Sequence, residues 1–90
     1  MAGWTFLTNH ALALVCIQRT PDSRMRDIAE CLGVTERAAH RIVSDLCEAG
    51  YVEKRRVGTR NRYTVDLEGD LRHPLVADQP VRELVERLAA

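Results

Sequence analysis

Aromatic side chains are scarce in this chain of 90 residues: one Trp, two Tyr and one Phe. Trp4 and Phe6 precede the first helix and are expected to cover one side of a small core that is otherwise aliphatic. Long apolar runs are missing as well. The longest, Ala11 to Ile17, is far too short to span a bilayer. No basic segment leads into a long apolar stretch with a small-residue cleavage site, so a secretory signal and a membrane partner are not expected and a cytoplasmic address is. The cysteines, Cys16, Cys31 and Cys47, lie 15 and 16 residues apart, which matches no zinc or redox pair. Each falls among apolar neighbours and reads as a small buried hydrophobe. The histidines His10, His40 and His73 fall in three separate elements, and none has a partner at metal-ligand spacing. Neither a glycine-rich phosphate loop nor a nucleophile elbow is present. An enzyme, a metal and a cofactor are therefore not expected. A core this small leaves little room for a ligand pocket within one subunit. An effector site between subunits, lined by the first and last helices, remains open.

What the chain does have is the run from Asp27 to Val65, DIAECLGVTERAAHRIVSDLCEAGYVEKRRVGTRNRYTV. Two short amphipathic helices surround a glycine turn, and a strand, an arginine-rich tip and a second strand follow. Thr8 or Asn9 can cap a first helix through Gln18, which Pro21 and Asp22 end. Arg24 and Met25 suggest a very short strand. A second helix is expected from about Arg26 to Leu32, with Ile28, Ala29 and Leu32 inward. Gly33 can close it in the left-handed conformation. Thr35 caps a third helix reaching about Ala49, with Ala38, Ala39, Ile42, Val43, Leu46 and Cys47 as its buried face.

Tyr51 to about Arg56 and Tyr63 to Leu67 read as paired strands, joined by a tight turn from Val57 to Asn61 built on Gly58. Leu71 to Gln79 reads as a loop, in which His73 fixes a turn. Pro80 can occupy the first position of a last helix, with Val81, Leu84, Val85 and Leu88 as its stripe. The expected fold is mainly α with a small β hairpin: a winged helix-turn-helix, with a three-helix core, a wing and an additional C-terminal helix. One domain over residues 1–90 is expected, with the helix-turn-helix at 26–49, the wing hairpin at 51–67 and the C-terminal helix at 80–89.

The net charge is zero with histidine neutral. Its distribution is uneven. Thr35 to Arg62 holds seven basic and four acidic residues, whereas Tyr63 to Ala90 holds three basic and six acidic. A positive middle can face phosphate while the acidic end faces elsewhere. On the third helix Thr35, Glu36, Arg37, His40, Arg41 and Ser44 occupy the first turns and the exposed face. Arginine there can hydrogen-bond guanine through two N–H groups, and Thr35 suits a phosphate oxygen. Arg55, Arg56, Arg60, Asn61 and Arg62 crowd the wing beside Lys54. Strand alternation puts Lys54 and Arg56 on one face and Arg55 on the other, and Arg60 and Arg62 are the better backbone or minor-groove candidates. The expected partner is double-stranded DNA, bound sequence-specifically by a transcriptional regulator. A homodimer through the N-terminal and C-terminal helices would match a pseudo-palindromic site. The alternative is a winged-helix module that meets an acidic protein surface and binds no DNA.

These residues carry a resemblance. TNHALALVCI, RMRDIAECLGVTERAAHRIVSDLCEAGYV, RRVGTRNRYTV and LRHPL resemble compact prokaryotic winged helix-turn-helix transcriptional regulators of the MarR and ArsR type. The resemblance runs from Trp4 to Leu88. It implies that the helix from Thr35 to Ala49 is the recognition helix and that the hairpin around Gly58 is the wing. Full-length MarR regulators carry long terminal helices that build a dimer and a ligand cleft, and this chain has one helix before the motif and one short helix after it. ArsR-type metal sensors carry clustered cysteines on the sensing helix. Here Cys31 stands alone, so metal sensing is not implied.

Overall fold

The computed structural model describes residues 3–90. Helix α1 spans Asn9–Arg19, α2 Met25–Leu32 and α3 Glu36–Glu48; strands β1 (Val52–Val57) and β2 (Arg60–Val65) form one antiparallel hairpin, and helix α4 (Arg82–Ala89) follows a short 3-10 turn at Pro74–Val76. This is the mainly helical winged arrangement expected, with its boundaries moved in several places.

Thr8 is the cap of α1, its hydroxyl accepting from the Ala11 N–H at 3.2 Å. The short strand expected at Arg24 and Met25 is absent. Arg24 is instead the N-cap of α2, and its backbone N–H donates to the Asp27 carboxylate at 3.0 Å, so Met25 already begins the helix. A carboxylate three residues into a helix is a local signal strong enough to displace a two-residue strand. Gly33, at φ 72°, closes α2, and the Val34 N–H returns to the Ala29 carbonyl at 3.0 Å. At the wing the strands approach closer than expected. Only Gly58 and Thr59 separate them, with Gly58 at φ 63° and Thr59 at negative φ, the pattern of a type II′ hairpin turn.

The core is aliphatic. Ala13, Leu14, Cys16 and Ile17 of α1 meet Ile28 and Ala29 of α2, Ala39, Ile42, Val43 and Leu46 of α3, and Val52, Tyr63 and Val65 of the hairpin. Ala38 and Cys47 are half-buried at its edge. Val81 and Val85 complete it from the far end of the chain, where α4 packs on α1. That helix starts at Arg82 rather than Pro80, because Pro80 pairs with Asp70 in an isolated bridge. The Val81 N–H donates to the Gly69 carbonyl at 2.8 Å and the Arg82 N–H to the Leu67 carbonyl at 3.2 Å, so Leu67 receives the tail instead of extending β2. His73 does fix a turn: its Nδ1 accepts from the Leu75 N–H at 3.1 Å. Gly69 lies against Tyr51, whose ring would meet an added methyl group at 3.0 Å.

Two expectations about side chains need correction. Trp4 and Phe6 do not cover the core. They are 65% and 93% exposed and stack edge to face on each other with ring centroids 5.0 Å apart. His10 pairs with Asp45 of α3 at 2.9 Å. Of the cysteines only Cys16 is buried; Cys31 is exposed and Cys47 half-buried.

Burial first, and then a hydrogen bond with Cys31, raises the Cys16 thiol from 9.0 to about 11. The folded pKa lies above the unfolded one. The thiol therefore contributes stability that is fully present below about pH 9 and is lost as pH rises towards 11. Burial raises Cys47 and the Tyr63 phenol in the same direction. Melting temperature is expected to fall through this window, and Cys16→Ala to make the fall shallower. A Cys16→Ala curve as steep as that of the native chain would refute the assignment.

Candidate nucleic-acid interface

Helix α3 positions its exposed side chains by simple geometry. Its apolar stripe is fixed against α1 and α2, so the opposite arc must face solvent. At 3.6 residues per turn, Arg37 and Ser44 sit near the middle of that arc, His40 on one flank and Arg41 on the other. Glu36, Arg37, His40, Arg41 and Ser44 are all exposed. Thr35 is the N-cap, its hydroxyl oxygen accepting from the Ala38 N–H at 3.1 Å. The hydroxyl proton is left to donate outward, as a phosphate oxygen requires. Asp45, beyond Arg41 on the arc, is drawn away by His10.

Each flank adjoins a different surface. Arg41 shares a shallow recess with Thr35, Arg37, Ala38 and Ile42. On the other flank His40 lines an open groove of about 410 Å³ together with Arg24, Met25, Thr59, Arg60, Asn61 and Tyr63. Recognition helix, start of α2 and wing tip thus meet around one concavity. Arg24 is the residue here that sequence reasoning missed. Its signal was Asp27 three positions later, which marks Arg24 as a helix cap exposed at the start of α2.

Hairpin register settles the faces of the wing. Lys54 lies opposite Tyr63 and Arg56 opposite Asn61, on the side that turns Tyr63 and Val65 into the core. Arg55 lies directly opposite Arg62, and Arg60 shares that outer face. The alternation expected from sequence is therefore present. Like charges paired across a strand repel, and Asp22 relieves part of this. Its carboxylate lies 3.6 Å from the Arg62 guanidinium, and its backbone carbonyl accepts from Arg60. Both wing arginines favoured for phosphate contact are thus already held by the turn between α1 and α2. By contrast Arg37, Arg41, Lys54, Arg55 and Arg56 form no ion pair among the described residues.

The acidic end is turned to other uses. Glu68 and Glu86 both bind Arg82, the latter at 2.8 Å. Among the described residues no cluster of three His, Cys, Asp or Glu side chains could hold a metal, and no helix is long and apolar enough to cross a membrane.

A family model, that of the MarR family, matches residues 5–62. The match takes in α1, α2, α3, β1 and the first residues of β2, which are the elements that build this interface. No curated protein matches the chain. With the matched stretch exceeding half the sequence and the winged helix-turn-helix in place, the chain belongs to the MarR family of DNA-binding transcriptional regulators.

Proposed function

We propose that α3 enters the DNA major groove as the recognition helix, while the wing lies on the backbone or in the adjacent minor groove. The observation that carries this reading is the exposed arc of α3, which lies between two recesses and holds Arg37 and Arg41 without ion-pair partners among the described residues. A helix inserted in the major groove has a phosphate strand along each side. Arg37, Arg41, Ser44, His40 and Glu36 would then face base edges. Thr35 would lean on one strand, and Arg55, Arg56, Arg60, Asn61 and Arg62 would serve the other through the wing. The function is regulation by binding rather than catalysis, and it extends over residues 1–90 acting as one domain.

A homodimer belongs to the same reading, since two recognition helices read a pseudo-palindrome about one helical turn apart. The stripe of α4 is largely taken up by α1 of the same chain. Exposed apolar side chains flank these helices, Trp4 and Phe6 before α1, Leu75 before α4 and Leu88 within it. Sedimentation at tens of micromolar should report the dimer, and a monomer there would remove this part of the proposal.

Fluorescence anisotropy with a pool of short duplexes tests the whole. Binding should weaken steeply as salt rises, with log affinity falling about 0.9 per phosphate neutralised. No binding at low salt would leave the family's fold serving a protein partner instead.

A further inference from the structure

The groove between α2 and the wing has a feature that plain helix insertion does not explain. Two arginines line it, Arg24 and Arg60, together with His40, and a third, Arg62, reaches Asp22 in the turn that leads into α2. One side-chain carboxylate, that of Asp22, answers an arginine among them, at 3.6 Å from Arg62. The other carboxylate at this end, Asp27, accepts from the backbone N–H of Arg24. The Arg24 guanidinium itself forms no ion pair among the described residues. Positive charge therefore exceeds the negative charge placed to meet it. Arg60 leans on a backbone carbonyl, a neutral acceptor that a phosphate oxygen surpasses. The Arg62–Asp22 pair is exposed on both sides, 50% and 75%, so water competes for it and it is readily exchanged.

We propose that this groove is a phosphate subsite for the DNA backbone, clasped by Arg24 and Arg60, and that Asp22 is its resident anion. The assignment rests on the DNA-binding reading above and names a residue pair outside the helix and wing sets. Asp22 holds Arg60 and Arg62 against the turn before α2 in the free protein. When a backbone phosphate enters, it takes over Arg62 and the Asp22 carboxylate returns to water. Asp22 thus does two opposed things: it orders the wing and it competes with the ligand. In a chain of zero net charge, such a competitor limits attraction to arbitrary DNA.

The experiment is equilibrium anisotropy on short duplexes across a salt series with the full chain. Arg24→Ala should bind about tenfold more weakly at low salt, and its salt slope should be shallower by about 0.9. Arg24→Lys, which keeps the charge, should recover most of the affinity. Asp22→Asn keeps the carbonyl that Arg60 uses and removes only the anion, so it should bind severalfold more tightly. That gain should vanish when Arg62→Ala is added, which separates a local exchange from a general change in charge. Inorganic phosphate at matched ionic strength should compete no better than chloride. Both residues are exposed, and circular dichroism with a thermal melt verifies the fold; Asp22→Ser stands in if Asp22→Asn misfolds. Unchanged affinity and slope in Arg24→Ala, or equal or weaker binding by Asp22→Asn, would overturn the proposal. Selective competition by inorganic phosphate would overturn its assignment to the DNA backbone. If Arg37→Ala and Arg41→Ala abolish binding while these variants change nothing, the subsite is wrong and helix insertion stands. If the native chain binds no duplex at low salt, it is helix insertion that has failed.

Discussion

Alanine at both Arg37 and Arg41 is expected to lower affinity for a selected operator duplex at least about thirtyfold, with the fold unchanged. The magnitude follows from the chemistry. A good two-point arginine contact to guanine contributes about 1–3 kcal/mol, and two such losses at separate base pairs roughly add. Nothing inside the protein should offset the loss, because neither guanidinium has an ion-pair partner among the described residues. Their i, i+4 spacing puts both on one stripe, where their mutual repulsion is relieved only by an external anion or base acceptor. Binding to random duplexes should fall less than binding to the operator, so the ratio of the two is the quantity to measure. An equal fall on both would make these residues phosphate contacts and shift base reading to His40, Ser44 and Glu36.

The second large effect is on stability. Ile28→Ala is expected to cost about 2–5 kcal/mol and to lower the melting temperature by roughly 10–40 °C for a domain of this size. Ile28 is 0% exposed. With Ala29 it makes up the buried side of α2, whose other residues are exposed or half-buried. Truncation there leaves a cavity between α1, α2 and α3 that the short helix has little freedom to fill. A domain of this size has only about 5–15 kcal/mol of stability in total, so the variant should sit near the edge of folding. Calorimetric melts decide the matter; a loss below about 1 kcal/mol would mean that α2 slides to close the gap.

Much of this architecture was legible because it is written in local patterns. The apolar spacing of Ala39, Ile42, Val43 and Leu46 specifies the inner face of α3, and with it the outer face that carries Arg37, His40 and Arg41. Thr35 and Gly33 mark the turn. Gly58 marks the wing tip, although the turn is shorter than the sequence suggested. What failed to show was of longer range. The partner of Arg60 is 38 residues away in the chain, and no periodicity links Asp22 to the wing. His10 finds Asp45 across 35 residues in the same way. The aromatics misled for a different reason. Large rings are usually buried, but Trp4 and Phe6 stack on each other in solvent instead. Pro80 marked a boundary correctly and its kind wrongly, since its place opposite Asp70 depends on the loop between them.

The packing of α4 on α1 also sets an order of events during synthesis. The first helix leaves the ribosome long before Val81 and Val85, the two side chains that finish covering it. Until they arrive, the apolar face of α1 is open, while the basic helix and hairpin behind it are already complete in sequence. Contacts so distant along the chain are late and slow to form. The arginines of the nascent regulator are therefore in place before the packing of α4 on α1 that completes the core beneath them.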